Sequence, residues 1–249
     1  MSHVPSLTPR LTRATLVRHF STRDAVMAAL VDAAGPYTLR PIEFPSPFRH
    51  LAEAIISQQI SGSAAAAILK RFVALFDESD DFPTPCAVLA VKENRLRSAG
   101  LSAAKVAAIR DLALKSEQGR IPDTATLDAL EDADIIEQLT MVRGIGPWTV
   151  QMMLMFQLGR PDVLPIADYG VRNGFRIAYR LRDLPTPSEL ARQGEKWAPY
   201  RSAAAWYLWR AVDLDKSGIE WTRPKIRLWR VPPRGDASTR RRRSGARTR

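Results

Sequence analysis

Hydrophobic positions along most of the chain recur every three or four residues, which is the spacing of an α-helix. Residues 61–76 show this well, because five apolar side chains between 68 and 76 fall on one helical face. Ser46 followed by Pro47 has the order of a cap and a first-turn proline, which marks another helix start. Strand-like alternation is confined to a short stretch near residues 37–44. The pattern predicts an all-α fold with helices over 46–57, 61–76, 87–98, 101–119, 132–140, 148–158, 168–181, 187–197 and 199–213.

Composition narrows the kinds of chemistry that this chain can perform. Its 249 residues are 45% hydrophobic and 25% charged, as in a soluble globular protein, and no apolar run is long enough for a membrane span. There is one cysteine, Cys86, and there are three histidines. These counts exclude a cysteine-ligated zinc site and a four-cysteine iron–sulfur cluster. If the chain is an enzyme, its chemistry comes from carboxylates, hydroxyls, lysines or aromatic rings.

Positive charge is concentrated at the C-terminal end. The net charge is +11, but residues 222–249 hold eleven lysines and arginines against one acid. The remaining 26 basic and 25 acidic residues leave residues 1–221 nearly neutral. A basic tail of this kind is typical of non-specific binding to a polyanion such as a nucleic acid.

Residues 139–170 hold the most distinctive local pattern. Two predicted helices are joined by residues 142–146, in which Gly144 and Gly146 allow positive φ and close approach of the backbone to a ligand. Unpaired amides at the start of the second helix suit a phosphate oxygen, although a tight turn that only packs two helices has the same sequence features. Asp168 begins the next helix, where it is either an ordinary N-cap, worth about 1 kcal/mol, or a carboxylate on the wall of a cleft.

Five segments together resemble the helix–hairpin–helix DNA glycosylases, specifically the 3-methyladenine DNA glycosylase II branch. The hairpin segment LTMVRGIGPWTVQMMLMF is followed by DVLPIADYGVRNGF, and LAEAIISQQISGSAAAAI, GLSAAKVAAIRDLA and WAPYRSAAAWYLWR resemble three further parts of that domain. The resemblance implies a helical bundle of two lobes, with a helix–hairpin–helix motif for DNA and an active-site cleft between the lobes. It also implies three regions: a partly ordered N-terminal segment (1–45), the glycosylase core (46–214) and a basic tail (215–249), which we expect to be disordered.

The resemblance assigns the central role to Asp168, which matches the catalytic aspartate of the family. Cleavage of an N-glycosidic bond develops positive charge on the sugar, and a carboxylate stabilises that charge or orients and deprotonates water. Family members that also cut the DNA strand place a Schiff-base lysine where this chain has Trp148. We therefore expect hydrolysis that leaves an abasic site, without strand cleavage.

The resemblance also implies two sets of binding residues. Aromatic and sulfur-containing side chains would stack on a flipped, cationic base, although core packing accounts equally well for Trp206 and Tyr207. Gln59 matches the position of a wedge that fills the vacated stack. The family hairpin often holds a monovalent cation on backbone carbonyls, here near Val142 and Gly144. The predicted base pocket comprises Trp148, Met152, Tyr200, Trp206 and Trp209. The predicted DNA-contacting residues are Gln58, Gln59, Ser61, Ser102, Lys105, Arg143, Gly144, Ile145, Gly146 and Thr149.

The sequence thus predicts a monofunctional DNA glycosylase that removes alkylated purines of the 3-methyladenine and 7-methylguanine type in base excision repair. The alternatives are a glycosylase for deaminated, oxidised or mismatched bases, and a DNA-binding module without catalysis. We expect double-stranded DNA with damaged bases as the partner, a monomer, no membrane association and no cofactor other than the hairpin cation. The expected location is the bacterial cytoplasm, near the nucleoid, or the nucleus of a eukaryote.

Overall fold

The computed structural model describes residues 11–42, 46–76 and 82–224, and over these ranges the chain is helical without strands. The helices are α1 (Arg13–Ser21), α2 (Ala25–Ala34), α3 (Pro47–Ser57), α4 (Gly62–Val73), α5 (Pro85–Ala90), α6 (Glu93–Ser98), α7 (Ala103–Glu117), α8 (Thr124–Ala129), α9 (Asp132–Thr140), α10 (Pro147–Phe156), α11 (Tyr169–Ala178), α12 (Pro187–Gly194), a short 3₁₀ turn (Glu195–Trp197) and α13 (Arg201–Lys216). The all-α prediction is confirmed. Within the described part of the chain, no helix has the length and apolar character needed to cross a membrane.

Most predicted helices begin where a side chain caps the first turn. The hydroxyl of Ser46 accepts a hydrogen bond from the Arg49 amide at 3.2 Å, with Pro47 in the first turn. Side chains one residue before α4, α7 and α11 cap those helices in the same way. The sequence pattern did not predict α1, α2 or α8. The stretch near residues 37–44, which showed strand-like alternation, forms no strand over its described part, 37–42, and residues 43 and 44 lie outside the described residues.

The first lobe comprises α3 to α10. Helix α7 packs against α3 and α5, α4 packs on α3, and α9 and α10 form the arms of a hairpin. The second lobe brings N-terminal and C-terminal helices together, because α11 packs along α13 and α2 packs on α1 and α13.

Asp24 attaches the N-terminal helices to the second lobe. Its carboxylate is 8% exposed and caps α2 through the Met27 amide at 3.2 Å. The same group accepts hydrogen bonds from Gln193 Nε2 at 2.6 Å, from Trp197 Nε1 at 2.8 Å and from the Tyr179 hydroxyl. Burial, with the adjacent Asp24 charge, raises the pKa of Tyr179 well above its usual value, so the phenol remains a donor. The N-terminal helices α1 and α2 are therefore bound to the helical body, and the domain boundary at residue 45 stays a prediction.

The helices that carry the cleft are held together at close range. A Cβ built on Gly174 of α11 would lie 1.9 Å from the Leu208 carbonyl oxygen of α13, so the two helices cross where one has no side chain. The loop leading from α10 to α11 is bound to α13 as well. Ser202 Oγ donates to the Arg160 carbonyl at 2.6 Å and accepts from the Val163 amide at 2.9 Å. This loop ends at Asp168, at the junction of the two lobes.

Candidate active site and DNA-binding hairpin

Asp168 is the N-cap of α11, and both of its carboxylate oxygens accept hydrogen bonds. Oδ1 accepts from the Val171 amide at 2.7 Å and from Trp209 Nε1 at 2.9 Å. Oδ2 accepts from Trp148 Nε1 at 2.8 Å. The two indoles come from different lobes, so the carboxylate lies between α10 and α13. Both interpretations of Asp168 fit this geometry: it caps a helix and it faces the cleft, partly exposed.

The wall of the cleft beside Asp168 is aromatic. Trp209 stacks on Phe156, with ring centroids 5.8 Å apart and planes inclined by 24°. Trp148 keeps 47% of its surface exposed, although its indole N–H reaches the carboxylate. Phe156 was not among the predicted site residues. Its spacing was a usable signal, because Phe156 lies four residues after Met152 and eight after Trp148, on the same face of α10.

Gly170 leaves the space that the Trp209 indole occupies. A Cβ at Gly170 would lie 2.8 Å from Trp209 Cδ1 and 2.9 Å from its Nε1. The same Cβ would lie 3.1 Å from Asp168 Oδ1, so any larger side chain would press on both the indole and the carboxylate and disturb the bond between them. Gly170 was not among the predicted site residues, although its place two positions after Asp168 was visible in the sequence.

The structure separates the predicted base pocket into three places. Trp148 and Trp209 meet at Asp168, and Met152 lies half-buried one turn along α10 from Trp148. Trp206 packs edge-on against Tyr37 and Tyr207, at centroid distances of 5.3 and 4.9 Å, which matches the core-packing alternative.

Tyr200 lies at the opposite end of α13 from the carboxylate. It precedes the first residue of that helix and packs edge-on against His19 at 4.8 Å. Nine residues of helix separate it from Trp209, which is about 13 Å along the axis. The length of α13 thus carries Tyr200 away from Trp209, and a role for Tyr200 in base binding stays a prediction.

The hairpin presents three backbone amides without a protein acceptor. Gly144 adopts φ +80°, whereas Gly146 has φ −103° and is the N-cap of α10, so only Gly144 uses the positive φ that both glycines allow. Pro147 has no N–H, and among the described residues the amides of Gly144, Gly146 and Trp148 donate to no acceptor. Such amides at a helix N-terminus suit a phosphate oxygen.

Two side chains from the first lobe hold the hairpin. Asp111 Oδ2 accepts from the Arg143 amide at 2.7 Å, and Gln58 Nε2 donates to the Gly144 carbonyl at 2.8 Å. Burial opposes ionisation of Asp111, but the Arg143 amide and the paired Lys115 ammonium outweigh it and lower the pKa of that carboxyl. The Arg143 side chain remains exposed, since only its backbone is engaged.

The remaining predicted DNA contacts lie in different settings. Gln59 is exposed with φ +59°, in the left-handed region, and Ile60 beside it is 38% exposed. Thr149 is only 8% exposed, so its side chain faces the interior and does not offer the predicted contact. The other four predicted contacts are the buried Ile145, the helix caps Ser61 and Ser102, and Lys105, whose ammonium donates to the carbonyls of Ile56 and Gln58 at 2.7 and 2.9 Å.

The backbone oxygens proposed for a monovalent cation each accept one hydrogen bond. The Val142 carbonyl accepts from the Ile145 amide at 3.0 Å, and the Gly144 carbonyl accepts from Gln58. A carbonyl oxygen has a second lone pair, so the hairpin cation stays a prediction, and no step of the reaction is assigned to it. No cluster of three or more histidine, cysteine or acidic side chains that could hold a metal occurs in the described ranges.

Comparisons with known proteins agree with this geometry. The sequence model described as HhH-GPD superfamily base excision DNA repair protein matches residues 52–200. DNA-3-methyladenine glycosylase 1 of Schizosaccharomyces pombe is 37% identical over 215 residues, covering 86% of this chain and 91% of that protein. A solved structure of an S. pombe 3-methyladenine DNA glycosylase in complex with abasic DNA matches with a TM-score of 0.67 at 37% identity, over 78% of this chain and 95% of that one. The DNA-3-methyladenine glycosidase of Bacillus halodurans matches with a TM-score of 0.72 at 32% identity, over 87% and 95%.

Proposed function

The chain belongs to the HhH-GPD superfamily of base excision DNA repair proteins, and we propose on that basis that it is a monofunctional glycosylase for alkylated purines in double-stranded DNA. The observation that carries the proposal is the carboxylate of Asp168, held between two indoles at the junction of the lobes. The names of the relatives, which are 3-methyladenine glycosylases, support the same substrate class.

The aromatic wall explains why an alkylated purine is a suitable substrate. A damaged base must leave the stack, which costs a few kcal/mol, and must be held by new contacts. Alkylation at N3 or N7 gives the purine a positive charge, and the faces of Trp148 and Trp209 attract a cationic ring. Such a base is also a good leaving group, so recognition by stacking and charge suffices.

Asp168 acts on the sugar from which the base departs. As the glycosidic bond breaks, positive charge develops on the deoxyribose, and a fixed carboxylate stabilises it most when it needs no reorientation. Three N–H donors, from Val171, Trp209 and Trp148, hold the Asp168 carboxylate in a fixed orientation. Water then adds to the sugar, leaving an abasic site and the free base.

The absence of a lysine after the hairpin defines the product. Trp148 occupies that position, so no amine is available there to form a Schiff base with the sugar. We expect that borohydride treatment during turnover yields no cross-link between protein and DNA. Recovery of a cross-linked species would contradict the monofunctional assignment.

Asp168→Asn tests the catalytic assignment. The substitution removes the charge and places an amide N–H₂ among donors, so we expect single-turnover base release to fall by about 100-fold or more, with DNA binding retained. Asp183→Asn, in an exposed loop after α11, is the matched control and should leave release unchanged. Full activity of Asp168→Asn would contradict the mechanism.

A panel of damaged duplexes tests the substrate class. DNA carrying 3-methyladenine or 7-methylguanine should lose its base, whereas release confined to hypoxanthine, ethenoadenine or uracil would contradict the alkylpurine assignment. We further propose that the enzyme acts as a monomer, which predicts a mass near 27.8 kDa by light scattering.

A further inference from the structure

One face of α7 contacts both of the DNA-facing loops. Lys105, Ala108 and Asp111 are three residues apart and so share that face. Lys105 donates to the carbonyl of Gln58 in the wedge loop, defined here as residues 57–61, and to the carbonyl of Ile56 in the last turn of α3. Ala108 packs under the hairpin, residues 142–146. A Cβ added to Gly144 of the hairpin would lie 3.3 Å from the Cβ of Ala108. Asp111 accepts from the Arg143 amide of the same hairpin at 2.7 Å.

The wedge loop needs this support because its backbone is unfavourable by itself. Helix α3 ends without a glycine, and Gln59 adopts φ +59°, a conformation that costs energy for a residue with a side chain. The Lys105 ammonium lies at the C-terminus of α3, where the helix dipole favours a positive charge. There it donates to the carbonyls of Ile56 and Gln58.

Gln58 links the two loops directly. Its amide donates to the Gly144 carbonyl across 86 positions of sequence, at 2.8 Å. The wedge loop, the hairpin and α7 therefore form one connected group of hydrogen bonds.

The orientation of Lys105 makes it a poor phosphate ligand. Two of its three N–H groups are used on protein carbonyls, and burial lowers the pKa of the ammonium. A lysine that contacts DNA would instead extend into solvent.

We propose that Lys105 and Asp111 are positioning residues that hold the wedge loop and the hairpin at a fixed separation, so that capture of a phosphate by the hairpin sets how far the exposed tip at Gln59 and Ile60 enters the duplex. This inference rests on the proposed function, because it concerns the same DNA-bound state. The residues act through the loops and do not touch the reacting atoms.

Lys105→Met separates positioning from phosphate binding, with two measurements on the full chain. The first is the dependence of binding to undamaged duplex on salt, for which removal of one phosphate-binding cation reduces the log–log slope by about 0.9. The second is the fluorescence of 2-aminopurine beside a tetrahydrofuran abasic analogue, which reports insertion of the wedge. We expect Lys105→Met to leave the salt slope unchanged and to give a smaller change in 2-aminopurine fluorescence. Single-turnover base release should be slower by about tenfold or more, as for the removal of hydrogen bonds to a charged group.

Matched variants make the result specific. Arg143→Gln removes an exposed hairpin cation and should reduce the salt slope while keeping the fluorescence change. Lys105→Arg retains donors at the α3 terminus and should recover much of the signal. If Lys105→Met does not fold by circular dichroism, Gln58→Leu provides the same test, since it removes the link to Gly144 and leaves every charge in place.

Two results would overturn the inference. If Lys105→Met reduced the log–log salt slope by about 0.9 while the wedge still inserted normally, Lys105 would be a phosphate ligand. Normal insertion and normal release in both Lys105→Met and Gln58→Leu would make the contacts merely structural. Because the abasic analogue requires no base release, insertion can be read even if the wild-type enzyme fails to release alkylpurines, an outcome that would contradict only the proposed function.

Discussion

Gly170→Ala should reduce catalysis without unfolding the protein. The added Cβ would lie 2.8 Å from Trp209 Cδ1, whereas ordinary contact begins at 3.4 Å, so the indole must retreat by about 0.6 Å. Phe156 stacks on that indole and limits the directions in which it can move. A retreat of this size stretches the hydrogen bond from Trp209 Nε1 to Asp168 Oδ1 from 2.9 Å to about 3.5 Å, which is longer than an ordinary N–H···O hydrogen bond. Loss of a hydrogen bond to a charged group costs about 1.5–3 kcal/mol, which corresponds to a rate loss of roughly 10- to 150-fold.

The assay is single-turnover release of 7-methylguanine from a defined duplex, with enzyme in excess so that product release does not limit the rate. Gly62→Ala is the matched control, because a Cβ there meets nothing within 4 Å. Trp209→Phe should reproduce the Gly170→Ala loss, since it removes the N–H and keeps most of the ring. A Gly170→Ala enzyme that is folded and releases base at the wild-type rate would refute the view that the Trp209 bond holds the carboxylate.

Three further predictions concern stability and DNA binding. Gly174→Ala should lower the free energy of unfolding by roughly 3 kcal/mol in urea, because its Cβ would lie 1.9 Å from the Leu208 oxygen and force α11 from α13; a loss below about 1 kcal/mol would show that the helices separate easily. Residues 225–249 hold ten basic residues and one acid. Their deletion should reduce the slope of log binding constant against log salt concentration by about 0.9 for each phosphate that they neutralise. An unchanged slope would exclude a role of these residues in DNA binding. Burial, with the Arg23 charge, lowers the pKa of His19 below 6.5, so the folded state favours the neutral imidazole. The free energy of unfolding should therefore decrease as the pH falls through 6.5. His19→Gln should weaken that decrease, and an equal decrease in the variant would show that it comes from another group.

The sequence predicted the reactive centre better than the pocket around it. Asp168, Trp148 and Trp209 were identified from segment resemblance, and the structure brings all three together. The sequence grouped Tyr200 with Trp209 but did not show that they lie at opposite ends of α13, because a run of aromatic residues along one helix does not reveal which turn faces the cleft. Phe156 was missed for the related reason that methionines dominate its helix, so an aromatic at the end looked like core.

Lys105 illustrates a second limit. A lysine in the first turn of a helix is a reasonable phosphate ligand on sequence grounds, and that contact stays a prediction. Its ammonium instead bonds carbonyls of a helix that ends nearly fifty positions earlier in the chain. Local spacing carries no information on a partner so distant in sequence.

Hydrophobic periodicity, caps and the order of the five segments were enough to determine from the sequence an all-α chain, most of its helices and the identity of the aspartate, because these depend on local propensity and on short motifs. Only the tertiary structure decided that the N-terminal helices are bound to the rest of the second lobe through the contacts of Asp24 with Gln193 and Trp197, that Gly146 has negative φ, and that one face of α7 holds both DNA-facing loops. The physical reason is the same in each case. These features are set by buried hydrogen bonds and close contacts between residues far apart in the chain, whose geometry exists only once the helices have packed.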